Sequence, residues 1–149
     1  MDQKLKNQII SIIDDTDDMT IATVRDDGFP QATTVSYMND GLKIYFGTST
    51  DSQKATNIAK CDKVSLTINR PYDNWNEITG LSLGGTAALV EDPDEFNSVV
   101  QLMFKKFPQI QDYTPTDDSV ELALFRIDPT VVSLLDYQRG FGHTELVSV

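Results

Sequence analysis

Three short runs of residues with alternating character, TIATVR at 20–25, TTVSY at 33–37 and LKIYF at 42–46, lead into the polar stretch TSTDSQK at 48–54. The runs are rich in β-branched and aromatic residues, which favour strands. Between them, DDG at 26–28 and NDG at 39–41 supply glycines that can take up the backbone angles of tight reversals. The sequence therefore predicts two consecutive hairpins that begin a β-barrel.

The polar stretch at 48–54 predicts the start of a short helix that continues to Lys60, because small and apolar residues follow at helical spacing. The free N–H groups of a helix start, its positive dipole end, the hydroxyls and the Lys54 ammonium could converge on a phosphate. The same residues are also typical of an ordinary helix start, in which Thr50 or Asp51 caps the helix and Lys54 is solvated. Taken alone, the residues favour this simpler interpretation.

Composition limits the classes of protein to which the chain can belong. The 149 residues suffice for one domain, 1–149, and a formal net charge of −11 disfavours both nucleic acid and anionic membranes as partners. The acidic pairs at 14–15, 17–18 and 117–118 are expected to be solvated. No apolar run has the length of a membrane span and the first residues lack the form of a signal peptide, so a cytoplasmic location is expected.

Side chains that carry chemistry are few. Cys61 and His143 are each the only residue of their type, which excludes an internal disulfide and a zinc site built from cysteine and histidine, and no metal site is predicted. The sequence contains no recognisable triad or carboxylate pair, which argues against hydrolysis, and no catalytic residue can be named.

The rest of the chain adds further strands and two more helices. The spacing of apolar residues predicts an N-terminal helix at 3–13 that lies on the barrel, and a helix that begins after Asp92 with Pro93 in its first turn. Strands are predicted at 64–68, at 78–90 with glycines that suggest a bulge or close approach, and at 120–127 and 131–137 on either side of a turn at Asp128 and Pro129. A tail follows from Gln138.

Six motifs follow one another along the chain: IYFGTS at 44–49, SQK at 52–54, VSLTI at 64–68, GTA at 85–87, EDP at 91–93 and KFP at 106–108. In this order they resemble the FMN-binding split β-barrel of the pyridoxamine 5'-phosphate oxidase-like family. The resemblance implies a mainly β fold, a β-barrel with peripheral helices, that forms a homodimer with FMN in a cleft between the subunits. It implies that the phosphate is held by Thr48, Ser49, Ser52 and Lys54. It also implies that the backbone of Thr33, Thr34, Val35 and Ser36 lies along the isoalloxazine ring.

The sequence also departs from the authentic oxidases of this family. Its second strand begins at Gln31 and has Ser36 where a lysine is expected, and the tail offers only Arg139 and His143 in place of a segment rich in tryptophan and arginine. These departures argue against oxidation of pyridoxamine phosphate. The closer resemblance is to short flavin-binding members of undefined substrate.

The resemblance leaves three functions open. The first is an FMN-dependent oxidoreductase, with a small-molecule electron donor and acceptor, and the second is an FMN-binding protein without turnover that serves storage, electron exchange or sensing. In the third, the barrel binds deazaflavin or haem, and haem would require His143 as axial ligand.

Two further residues each have two possible roles. Trp75 either covers one end of the barrel or caps a flavin ring. His143 either belongs to a solvated tail or folds over the site to exchange protons.

Overall fold

The computed structural model describes residues 1–113 and 121–149. The predicted strand start at 120 and the acidic pair at 117–118 lie outside these residues. The helices are α1 (Gln3–Asp14), α2 (Gln53–Lys60) and α3 (Pro93–Lys106), with short 3-10 turns at Trp75–Glu77, Pro108–Asp112 and Tyr137–Arg139. The strands are β1 (Asp18–Val24), β2 (Pro30–Ser36), β3 (Met38–Asp40), β4 (Lys43–Ser49), β5 (Lys63–Asn69), β6 (Thr79–Leu89), β7 (Leu122–Asp136) and β8 (Thr144–Ser148).

All of these strands belong to one antiparallel sheet, in the order β2-β1-β5-β6-β7-β4-β3, with β8 paired to β7. The sheet curls around an apolar core to which β1, β4, β5, β6 and β7 all contribute. Because β2 and β3 stand at opposite ends of the strand order, the curled sheet stays open between them. The predicted mainly β fold, a barrel with peripheral helices, is confirmed.

The first predicted hairpin is present and the second is smaller than expected. β1 pairs with β2 from Asp18 opposite Ser36 to Val24 opposite Pro30, and Gly28 in their turn has a φ of 88°. The second turn, with Gly41 at a φ of 60°, joins β4 to the short β3 instead of to β2. The chain therefore leaves β2 at the open edge of the sheet and crosses to the opposite edge.

The prediction of two strands on either side of a turn at Asp128 and Pro129 was wrong, because β7 runs without interruption through both residues. On one side, β7 pairs with β4 as far as Ile127 and with β8 from Val131, so Pro129 lies in the gap between these two partners. A proline has no N–H to donate and is tolerated at such an unpaired or bulged position. On the other side, the register with β6 shifts between Gly84 and Gly85.

The glycines of β6 mark a close approach of two backbones, as predicted. A Cβ added at Gly85 would lie 2.5 Å from the carbonyl oxygen of Asp128. At Gly84 the nearest atom to such a Cβ would be Cγ1 of Val131 at 3.4 Å, which is ordinary van der Waals contact. Only glycine therefore fits at position 85.

The outer helices follow their sequence signals. α1 buries Ile9, Ile12 and Ile13 in the main core and contacts β5 and β6. The Asp92 side chain caps α3 by accepting a hydrogen bond from the Glu95 N–H, and the apolar face of α3 packs on a second cluster that includes Tyr45. No helix in residues 1–113 and 121–149 combines the length and the apolar character that crossing a membrane requires.

Candidate functional site

Two of the predicted phosphate ligands, Thr48 and Ser52, are in direct contact at the start of α2. The Ser52 hydroxyl is the N-cap, since its oxygen accepts from the Ala55 N–H at 3.2 Å, which corrects the assignment of the cap to Thr50 or Asp51. The Thr48 hydroxyl donates to the same oxygen at 2.9 Å. The Ser52 proton and the N–H groups of the first helical residues therefore remain available to a ligand.

The two charged side chains at this helix start differ in their contacts. The Asp51 carboxylate accepts a hydrogen bond from the Ser49 hydroxyl, so Ser49 is already engaged. Lys54 is partly buried, and no ion pair or hydrogen bond to its side chain is found among the residues that the structure describes. A partly buried ammonium without a carboxylate partner is suited to bind an anion from outside the chain.

One face of the edge strand β2 turns toward α2 and the core. Gln31, Thr33 and Val35 are partly buried, whereas Thr34 and Ser36 are exposed on the opposite face. The Thr33 hydroxyl is shielded from solvent and has no hydrogen-bond partner within the described part of the chain. An orphaned buried hydroxyl carries a free-energy cost that a bound ligand would remove.

The open side of the sheet contains a largely apolar cavity of about 260 Å³. It is lined by Val35, Ser36, Met38, Gly47, Met103, Phe107, Ile110 and Leu122. Leu122 pairs with Ser49 in the sheet, so the cavity adjoins the end of β4 from which the chain enters α2. β2 and β4 are far apart in strand order, and the curl of the sheet brings both to one cleft beside the helix start.

A partly buried ammonium stabilises the wall of this cavity next to Phe107. Lys106, at the end of α3, donates to the carbonyls of Thr16 at 2.8 Å and Tyr37 at 3.0 Å, and its Nζ lies 3.9 Å from the centre of the Tyr37 ring. Burial lowers the pKa of Lys106 below its ordinary value. The Tyr37 hydroxyl donates to the carbonyl of Ile13 at 2.6 Å, and burial raises its pKa. These contacts fix the point at which the chain passes from β2 to β3.

Trp75 and His143 lie elsewhere in the chain. Ser49 pairs with the first residue of β7, whereas the last residue of β7, Asp136, donates its N–H to the carbonyl of His143. The two positions are separated by a 15-residue strand, roughly 45 Å in contour length. Thr48, Ser49, Ser52 and Lys54 thus lie together at the start of α2, and Val35 and Ser36 of β2 line the adjoining cavity, with Thr33 and Thr34 on the same strand. Trp75 and His143 lie at the other end of β7 in the same chain.

The region around Trp75 is an exposed aromatic cluster, formed by Trp75, Tyr137 and Phe141. The ring of Trp75 stacks on Phe141 with centroids 6.1 Å apart, and Tyr137 meets Phe141 edge-on at 5.4 Å. Trp75 is 68% exposed and Phe141 73% exposed. Nearby, the Nε2 atom of His143 is shielded and has no hydrogen-bond partner among the described residues, with the Glu145 carboxylate 3.9 Å away.

The structure adds site residues that the sequence did not point out. Asn57 of α2 is 1% exposed and donates to Gln31 of β2 as well as to Thr23 of β1. The one signal in the sequence was an amide residue between the apolar positions Ala55 and Ile58 of the predicted helix. In residues 1–113 and 121–149, no three side chains of the His, Cys, Asp or Glu type are grouped so that they could hold a metal ion.

Comparison with known proteins adds a family and a set of similar folds. The family model described as pyridoxamine 5'-phosphate oxidase matches residues 5–136. The structure of a heme binding protein from Mycobacterium smegmatis is similar with a TM-score of 0.82 and 19% identity, over 99% of this chain and 59% of that chain. This chain thus spans little more than half the length of that protein.

Two further solved structures show the same fold. General Stress Protein 26 from Bacillus anthracis has a TM-score of 0.72 and 20% identity, over 99% of this chain and 100% of that chain. The heme storage protein HutZ from Vibrio cholerae has a TM-score of 0.69 and 19% identity, over 84% of this chain and 89% of that chain. A comparison with curated proteins finds no significant match.

Proposed function

Because the chain belongs to the pyridoxamine 5'-phosphate oxidase family, we propose that it binds FMN in the cleft between β2, β4 and the start of α2 and acts as a flavin-dependent oxidoreductase. The observation that carries this proposal is Lys54, a partly buried cation beside a helix start with no partner in the described residues. In a protein with a net charge of −11, such a cation is a local exception that suits an anionic ligand.

The residues present fit a phosphorylated ring. Lys54, the Ser52 hydroxyl and the first N–H groups of α2 are the donors that a phosphate requires. Thr48 supports Ser52, and the orphaned Thr33 hydroxyl offers one more polar contact on β2. The apolar cavity that begins at Val35 and Gly47 suits the flat ring.

When bound, FMN supplies hydride or electron transfer. The side chains of the cleft bind and orient the cofactor, and Met103, Phe107 and Leu122 exclude water from its surroundings. Such a site needs no acid or base from the protein. Gln31 and Ser36 leave β2 without a cation, which continues to argue against pyridoxamine phosphate as the substrate.

The proposal includes a homodimer in the cytoplasm. A second apolar cavity, of about 250 Å³, lies on another side of α2 and is bordered by Leu89, which is 49% exposed. Together with the exposed aromatic cluster, it leaves apolar surface that a second copy of the chain would cover. If Trp75 and His143 contact the cofactor, they come from the other protomer, because β7 separates them from Lys54 within one.

Haem is the second candidate ligand. Two of the similar structures are of a heme binding protein and a heme storage protein. The observation on this chain that favours haem is the Nε2 atom of His143, which has no hydrogen-bond partner within the described ranges and could serve as an axial ligand. A deazaflavin would use the same cleft as FMN.

The visible spectrum of the purified protein, followed by anaerobic addition of NADH or NADPH, tests the proposal. A yellow flavin spectrum that bleaches with nicotinamide supports an oxidoreductase, and a flavin spectrum that stays oxidised supports binding without turnover. A Soret band that is lost in His143→Ala supports haem. Apoprotein that takes up neither FMN nor haem in a titration would contradict both candidates.

A further inference from the structure

A buried amide network joins α2 to the open edge of the sheet. Asn57 donates from Nδ2 to the Thr23 hydroxyl at 3.0 Å and to Oε1 of Gln31 at 3.2 Å. Its own Oδ1 accepts from Nε2 of Gln53 at 2.7 Å. All hydrogen-bonding groups of the Asn57 side chain are thus used in a site that is 1% exposed. A buried amide whose own groups are all used is held in one orientation, and it orients the groups to which it is bonded.

The network determines which end of the Gln31 amide is free. Since Oε1 of Gln31 accepts from Asn57, the Nε2 group is left as a donor without a partner in the described residues. Gln31 lies on the same face of β2 as Thr33, whose hydroxyl is also unpartnered. Asn57 lies one helical turn after Lys54, so these two side chains share one face of α2. The free amide donor therefore lies on the side of the cleft on which Lys54 is found.

We propose that Asn57 is a positioning residue of the cofactor site, which holds the Gln31 amide so that its Nε2 group donates to the phosphate-bearing ligand together with Lys54. The proposal rests on the proposed function. Among the described strands, β2 is an edge strand whose one partner is β1, and Asn57 is a side chain of α2 that ties the Gln31 end of β2 to the helix. It thereby also sets the width of the cleft at that end.

The experiment compares FMN and riboflavin affinity in four proteins: wild type, Gln31→Met, Asn57→Leu and the double variant. Methionine and leucine keep the side-chain volume nearly constant and remove the donors. Gln31→Met is expected to weaken FMN binding about tenfold, the effect of one hydrogen bond to a charged group, and to leave riboflavin binding unchanged. Asn57→Leu is expected to give a similar loss, and the double variant no more than either single change, because the two residues act as one unit.

Thr23→Val is the matched control, because it removes the other acceptor of Asn57 and leaves Gln31 in place. It is expected to lower the thermal stability of the apoprotein without changing the ratio of FMN to riboflavin affinity. Equal FMN affinity in wild type and Gln31→Met, or losses that add in the double variant, would overturn this inference while the proposed function stands. A wild-type protein that binds neither flavin would overturn the proposed function and this inference together.

Discussion

Replacement of Lys54 by alanine tests the anion site most directly. In the apoprotein the ammonium makes no ion pair or hydrogen bond with a described residue, so its removal is expected to act on the ligand. A hydrogen bond between charged groups contributes about 1.5 to 3 kcal/mol, which corresponds to an affinity for FMN that is about ten to a hundred times weaker. Alanine is a good helix former, so the stability of α2 should change little.

The assay is a pair of titrations, with FMN and with riboflavin, on wild type and Lys54→Ala at fixed salt. Riboflavin lacks the phosphate and should bind both proteins equally. Lys60→Ala is the control for net charge, because Lys60 lies at the other end of the same helix in an exposed pair with Asp26 at 3.0 Å. Equal FMN affinity in wild type and Lys54→Ala would refute the reasoning and reduce the segment at 48–54 to a capped helix start.

Three other predictions concern stability and assembly. Gly85→Ala should lower the free energy of unfolding, measured with denaturant, by about 1 to 3 kcal/mol, because the added Cβ would meet the Asp128 carbonyl. Gly84→Ala, the control, should change it by less than about 1 kcal/mol. Similar values for both variants would be inconsistent with the close approach. Burial, and then the neighbouring Glu95 carboxylate, raises the pKa of Tyr45 to about 12 in the folded protein. The stability that the neutral Tyr45 hydroxyl contributes is therefore complete below the unfolded pKa of about 10 and is lost as the pH rises through about 12. Unfolding curves of wild type should therefore fall more steeply over this range than those of Tyr45→Phe, and parallel curves would speak against it. Sedimentation should show a dimer at micromolar concentration, and a monomer with FMN bound would rule out a site shared between protomers.

The parts of the fold set by local chemistry could be predicted from the sequence. The first hairpin follows from alternation and from Gly28, and the start of α3 follows from Asp92 and Pro93, because these residues act on their immediate neighbours. The course of β7 could not be predicted in this way. Pro129 breaks most strands, and it is tolerated here only because β4 and β8 leave a gap beside it, which is a property of the whole sheet.

The candidate site was predictable to the same degree. The hydroxyls and Lys54 before a helix favoured an ordinary helix cap when taken alone, and only the family resemblance favoured an anion site. These residues lie at the start of α2, beside the cleft. Asn57 was missed because its role depends on β1 and β2 packing on α2, which no local pattern reveals. Trp75 and His143 were offered as cofactor contacts because a loop aromatic can cap a flavin ring and the only histidine can exchange protons. The length of β7 that separates them from Lys54 is visible only in three dimensions.

The long strand β7 also has a consequence for the way in which the chain folds. It pairs with β6 along its length and with β4 near its start, yet β4 and β6 precede it by many residues in the chain. During synthesis, the β1–β2 hairpin and β5 can associate early. In contrast, the edges of β4 and β6 that pair with β7 stay unpaired until β7 has been synthesised. Contacts between distant parts of a chain form slowly, so pairing with β7 is expected to limit the folding rate, and nascent chains that stop before residue 122 should be prone to aggregate.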